Sequence, residues 1–180
     1  TQFDEEIIKD DVKLPDSAPA VMKTLKAEGR KWYLTVVYHE DNIYRPFALF
    51  VKTNASEKGV IADEAVELLT KLARKKKIPK RHRDEVELKL VKDTNASKVA
   101  RLISFLLRHG VLIKNIVATL DRVESAYVGT FVFQIKKFLS SYIKDGEAVE
   151  DEECLECGSK TIVFSEGCKR CTSCGSSKCG

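Results

Sequence analysis

Cysteine placement constrains this chain more than any other feature. All six cysteines lie in the last 27 residues, and the first 153 residues contain none. A secreted disulfide scaffold spreads its cysteines through the core that it staples, so crowding at one end points instead to a metal site, a thiol relay or both. The order is Cys154-x2-Cys157-x10-Cys168-x2-Cys171-x2-Cys174-x4-Cys179. Two pairs carry glycine directly after the second cysteine, in Cys154-Leu-Glu-Cys157-Gly158 and Cys171-Thr-Ser-Cys174-Gly175. That is the rubredoxin-type knuckle, in which glycine lets the backbone turn until its amides point at the sulfurs. Two facing knuckles make a tetrahedral S4 site, with Thr161-Ile162-Val163-Phe164 as a strand between them. Zn2+ held by Cys154, Cys157, Cys171 and Cys174 is the expected arrangement, and unligated reduced thiols are the plainer alternative. A segment this short cannot build its own core, so bound zinc would supply its folding free energy.

Cys168 and Cys179 remain over. Surplus thiols invite oxidation, and Lys169, Arg170 and Lys178 beside them favour the thiolate. A mobile terminal thiol near a second one has the parts of a thiol–disulfide exchange relay: nucleophile, resolving partner and reach. Cys168 and Cys171 also form a C-x-x-C pair, so spare or exchangeable zinc ligands are the competing expectation.

The rest of the chain reads as an α+β domain. Trp32, Leu34, Val36 and Tyr38 alternate with Tyr33, Thr35 and Val37, which predicts a strand. His39 to Asn42 supply turn chemistry, and Arg45 to Lys52 read as the returning strand, with Pro46 near its start. Apolar residues three and four apart predict helices through Ala62–Leu72, ended by Pro79, and through Val99–Leu107, capped by Gly110. The two Thr-Asn-Ala-Ser stretches, at 53–56 and 94–97, read as independent helix N-caps rather than as an internal duplication. A third helix is expected over Ile113–Leu120. Phe131 to Tyr142 continue at helical spacing, although Val128 to Ile135 also fit a strand. Residues 1–27 read as a linker arm without a partner in the chain, with a short helix over Pro19–Ala27. Residues 28–146 form the α+β domain, and 147–180 an acidic hinge with the cysteine-rich, ribbon-like tail. His39, His82 and His109 are each expected at the surface, without catalytic roles.

Hydrophobic residues make up 43% of the chain, enough for a core, and the net charge is +4. That excess is too small for a dedicated nucleic-acid binder. No apolar run approaches the ~20 residues that span a bilayer, and the opening residues are not a secretory signal, so a cytoplasmic protein is expected. The basic stretch Arg74–Arg83 is the best support for a rival zinc-ribbon module that binds nucleic acid or a partner subunit. It lacks the interleaved aromatic residues that stack on bases, and a solvated linker between helix and strand is its simpler reading.

The tail CLECGSKTIVFSEGCKRCTSCGSSKCG resembles the cysteine-rich C-terminus of adenosylcobalamin-dependent (class II) ribonucleotide reductases, which run C-x-x-C-G, a strand, E-G-C-x-x-C-x-x-C-G and a final S-x-C. Tyr33–Val37 with Tyr44–Val51 is similar to the hairpin of the domain preceding that tail, and Ala100–Val111 is similar to its helix. The stretches Arg74–Arg83 and Phe131–Tyr142 depart from the family pattern. The resemblance implies that the chain is the C-terminal part of a reductase whose catalytic barrel, with its cobalamin contacts and radical cysteine, lies outside these 180 residues. In that family each reduction of a ribonucleotide leaves a buried cysteine pair oxidised, and C-terminal cysteines swing in to reduce it. Carried over by motif, Cys154, Cys157, Cys171 and Cys174 match the knuckle positions, and Cys168 and Cys179 match the relay. The implied partners are the barrel, of the same or a neighbouring chain, and a dithiol reductant of thioredoxin type. The acidic hinge would supply the travel.

Overall fold

Alternation along β2 (Arg30–His39) is what organises the sheet: Trp32, Leu34, Val36 and Tyr38 are all buried, and the residues between them are half-buried. The computed structural model describes residues 6–10 and 13–179. β2 pairs antiparallel with β1 (Ala20–Ala27) on one side and β3 (Asn42–Thr53) on the other, giving the order β1-β2-β3. The β2–β3 hairpin matches the expected one but starts earlier, since Asn42 already pairs with His39. A register shift at Val37–His39 brings Tyr38 opposite Pro46, so the irregularity falls where proline cannot donate to the ladder.

The short helix expected over Pro19–Ala27 is instead strand β1. Its pairing with β2 decides the conformation, since Val21 sits opposite Val36 and Leu25 opposite Trp32. The domain boundary expected at residue 27 therefore falls inside the β1–β2 hairpin. Of the arm, residues 1–5, 11 and 12 lie outside the described residues. Residues 6–10 have partners. Lys9 N–H donates to the His109 carbonyl, and His109 Nδ1–H donates to the Lys9 carbonyl, each at 2.8 Å. Glu6 accepts from Leu112 N–H at 2.9 Å and from Asn115 Nδ2 at 2.6 Å.

Five helices pack with the sheet, α1 (Asp63–Lys75), α2 (Lys80–Leu90), α3 (Asn95–Arg108), α4 (Ile113–Asp121) and α5 (Phe131–Ser140); α3 lies on β3, α5 touches β1, and α1, α2 and α4 pack on other helices. α3 is the central one, with Val99, Leu102, Ile103, Leu106 and Leu107 buried. Ser104 fastens it to the sheet. Leu49 N–H donates to Ser104 Oγ at 2.8 Å, and the same hydroxyl lies 3.0 Å from the Leu49 carbonyl, so the buried backbone of an edge strand finds a side-chain partner. Trp32 packs against Phe131 with ring centroids 4.6 Å apart and planes tilted by 45°, and its Nε1–H donates to the Ala27 carbonyl.

Several local expectations need correction. Residues 53–56 do not cap a helix; they close β3, and α1 starts only at Asp63. The second stretch does place Thr94 at the N-cap of α3, but its hydroxyl lies against Ser97 and Glu57 and caps no backbone amide. The basic stretch joins α1 to helix α2, not to a strand. Pro79 opens α2 with its ring-fixed φ, and only Val86 and Leu90 of that helix are buried. Residues 131–140 are helical and Val128 lies outside them, which resolves the helix-or-strand ambiguity. His109 is buried rather than at the surface, because the arm crosses it and its ring lies 5.2 Å from that of His82.

The tail forms a second antiparallel sheet, β4 (Ile162–Ser165), β5 (Cys168–Cys171) and β6 (Ser177–Lys178). The architecture is thus α+β, an antiparallel sheet packed on five helices and followed by a small cysteine ribbon. Among the described residues no helix is long and apolar enough to cross a membrane.

Candidate metal centre and redox pair

The two knuckles repeat one local design. In the first, Cys154 N–H donates to the Ser159 carbonyl at 2.8 Å and Gly158 N–H to the Cys154 carbonyl at 2.7 Å. In the second, Cys171 N–H donates to the Ser176 carbonyl at 2.8 Å and Gly175 N–H to the Cys171 carbonyl at 2.9 Å. Gly158 and Gly175 take φ of +72° and +78°, the left-handed turn that a side chain would strain. Pairing of β4 with β5 sets Ile162 opposite Cys171 and brings the knuckles face to face.

All four knuckle sulfurs lie within 4.8 Å of one another. Cys154 and Cys174 Sγ are 3.7 Å apart, and Cys157 and Cys171 Sγ are 3.6 Å apart. Four sulfurs around one ion at about 2.3 Å would stand roughly 3.8 Å from each other in a tetrahedron, so these thiols are spaced to hold a metal ion such as zinc. Electrostatics agree. The Ser159 hydroxyl, with the amides of Cys174 and Ser173 and the Thr161 hydroxyl, pulls the Cys171 thiol down to about 5. Ser176, and then the amides of Cys157 and Glu156, pull Cys154 below its ordinary value. The Ser159 hydroxyl and amide pull Cys157 down as well, but burial together with the neighbouring sulfurs of Cys171 and Cys174 outweighs them and leaves that thiol raised. A site that favours some thiolates and penalises the next is a site that a divalent cation neutralises.

Ser159 and Ser176 are contributors that the spacing argument passed over. Ser159 Oγ lies 3.2 Å from both Cys157 and Cys171 Sγ, and Ser176 Oγ lies 3.2 Å from both Cys154 and Cys174 Sγ. Each hydroxyl therefore bridges the two knuckles. The signal was present in the sequence, since both knuckles continue as C-x-x-C-G-S.

No family model, curated protein or solved structure matches this chain.

Cys168 and Cys179 stand apart from the quartet and are joined to each other as a disulfide, with Cα atoms 4.5 Å apart. β6 reaches back along β5, pairing Lys178 with Lys169 and Ser177 with Arg170, which carries Cys179 to Cys168. Strand alternation puts Cys168 and Arg170 on one face of β5 and Lys169 and Cys171 on the other. Cys171 is buried, while Cys168 is half-buried and Cys179 exposed. The disulfide is therefore reachable from solvent; in the quartet Cys154 and Cys171 are buried, and Cys157 and Cys174 are exposed.

The segment expected as a loose acidic hinge is paired. Gly146 N–H donates to the Phe164 carbonyl at 2.7 Å, Phe164 N–H to the Glu147 carbonyl at 2.8 Å, and Val149 N–H to the Ile162 carbonyl at 2.9 Å. Val149, Ile162 and Phe164 belong to the same buried cluster as Phe138 and Ile143. Acidic residues here have basic partners, as in Lys114 with Glu147 at 3.2 Å.

The basic stretch has partners too, although Lys80 and Arg81 remain exposed. Lys76 pairs with Glu6 at 2.5 Å, Arg81 with Asp10 at 2.9 Å and Lys80 with Asp84 at 2.7 Å. His82 Nε2 lies 2.8 Å from Asp10, and Arg83 Nε donates to the Ile78 carbonyl. Much of this charge thus fastens the arm and the α1–α2 corner.

Proposed function

We propose that this chain is the C-terminal part of an adenosylcobalamin-dependent ribonucleotide reductase, in which Cys168 and Cys179 carry electrons to the active site and Zn2+ on Cys154, Cys157, Cys171 and Cys174 holds the ribbon that bears them. The observation that carries this reading is the separation of six sulfurs into a metal-spaced quartet and one solvent-facing, bonded pair. Spare thiols locked into the quartet would have argued for a purely structural ribbon.

The chemistry asked of the chain is disulfide exchange. In the reduced state, the thiolate of Cys168 or Cys179 attacks one sulfur of the oxidised cysteine pair in the barrel. The barrel disulfide breaks, a mixed disulfide forms, and the other barrel sulfur leaves as a thiolate. The second tail thiolate then attacks the mixed disulfide, which releases the second barrel thiolate and closes Cys168–Cys179. Two electrons have moved to the barrel, and its sulfurs take up protons from solvent. A dithiol reductant of thioredoxin type restores the tail by the same two steps. Arg170, on the same face of β5 as Cys168, favours the attacking thiolates. Zinc, when bound, fixes the two knuckles and keeps four of the six thiols out of exchange. Adenosylcobalamin would be held by the barrel, outside these residues, and would supply the radical chemistry at the ribose.

The test is turnover of the full reductase with a dithiol-dependent reductant. Replacing Cys168 and Cys179 with Ser should stop the reaction after the equivalents stored in the active site, with zinc content unchanged. Undiminished multiple turnover in that variant would end the proposal.

A further inference from the structure

The ribbon is fastened to the helices by one charged contact beside the redox pair. Lys169, next to Cys168, points away from the disulfide into the body of the protein, with its side chain only 12% exposed. Its ammonium meets Asp121, the last residue of α4, and Glu152 Oε2 at 2.5 Å. Asp121 also accepts from Lys136 Nζ of α5 at 3.1 Å. Two helices, the acidic segment and β5 thus converge on one side chain of the ribbon. Across the same junction run the bond from Gly146 N–H to the Phe164 carbonyl, that from Glu166 N–H to Asp145 Oδ1, each at 2.7 Å, the Lys114–Glu147 pair and an apolar contact through Phe164. Tyr142, just before the crossing, is tied to the sheet through its hydroxyl contact with Tyr38 at 2.5 Å. The anchored body therefore ends near Ile143, and Gly146, with φ of +86°, lies at the pivot.

We propose that Lys169 is a positioning residue: seated between Asp121 and Glu152, it holds the ribbon on α4 and α5 with the Cys168–Cys179 pair turned to solvent, and leaving that seat is the step that lets the pair travel. Docked, the pair faces an external dithiol. Undocked, the ribbon swings about Gly146 as a unit, because its knuckles are held by their own internal bonds and metal-spaced sulfurs. An ammonium lifted from Asp121 regains water and keeps Glu152, which travels with the ribbon, so the seat is strong enough to define a position and weak enough to open. The travel rests on the relay reading above; the seat does not.

Amide hydrogen exchange on the full, zinc-loaded chain tests it. Lys169→Met should raise exchange at the junction amides of Gly146 and Glu166, whose bonds cross the pivot, about tenfold or more, as loss of a partly buried ion pair implies. The knuckle amides of Gly158 and Gly175 and the amides of α3 should keep their protection. Lys169→Arg should restore the junction, and Asp121→Asn, made from the helix side, should reproduce the Met variant. Unchanged junction protection in Lys169→Met would overturn the proposal. So would joint loss at junction, knuckles and α3 in both Lys169→Met and Asp121→Asn, since ribbon and helices would then open only as one unit. No nucleotide enters this assay, so its failure leaves the turnover test standing, and a failed turnover test leaves the seat standing.

Discussion

Replacing Gly110 with alanine should lift the N-terminal arm from the helices. Gly110 follows α3 with φ of +89°, and a Cβ there would sit 2.1 Å from the Ile7 carbonyl oxygen. A carbon and an oxygen need more than 3 Å, so the arm must retreat by about 1 Å or more at a backbone atom that cannot rotate away. Retreat breaks the two Lys9–His109 bonds and strains the Glu6 contacts to Leu112, Asn115 and Lys76. The left-handed conformation alone costs alanine about 1–2 kcal/mol, and each lost hydrogen bond adds about 1 kcal/mol net. The full chain should therefore lose about 3 kcal/mol or more. A chain without residues 1–10 should lose only the conformational part, about 1–2 kcal/mol. Urea unfolding followed by the fluorescence of Trp32, the single and fully buried tryptophan, measures both at constant m. Equal losses in the two backgrounds would refute the arm contact, and a loss below about 1 kcal/mol in the full chain would refute the strain argument as well.

Acid should release the arm and the ribbon before it unfolds the sheet. Burial pushes the Glu6 carboxyl up, but Lys76, Leu112 N–H and Asn115 outweigh it; burial pushes Asp121 up, but Lys169 and Lys136 outweigh that, so both carboxyls end below their ordinary values. Depressed carboxyl pKa values mean stability that is complete above the ordinary carboxylate range, about pH 4, and lost as pH falls through the lower folded values. Limited proteolysis near residues 10 and 150 should therefore quicken below about pH 4, and cleavage independent of pH would contradict it. Ser159→Ala combined with Ser176→Ala should weaken metal retention about 10- to 100-fold in a chelator competition, because each hydroxyl touches one sulfur of each knuckle. Unaltered competition would remove the serines from the site.

Legibility of the sequence followed the range of the interactions. β2 was readable because Trp32, Leu34, Val36 and Tyr38 alternate, and α3 because its apolar residues recur at helical spacing and end at Gly110. β1 was not readable, since Ala20–Ala27 is an edge strand with most side chains exposed and no pattern of its own. α2 was missed because Val86 and Leu90 alone face the core. The knuckles were legible because sulfur spacing and glycine are local requirements. His109 was misplaced at the surface because its cover comes from residue 9, a hundred positions away. Lys169 reads as an activator of its cysteine neighbours; that it seats instead on Asp121, 48 positions earlier, no local pattern could tell.

Thiol modification with simultaneous metal detection tests the division among the sulfurs most directly. After gentle reduction of the folded, metal-loaded chain by a dithiol, two thiols, Cys168 and Cys179, should react rapidly with an alkylating reagent while one zinc per chain stays bound. Zinc leaving in step with those two thiols, or no metal bound at all under reducing conditions, would contradict the account.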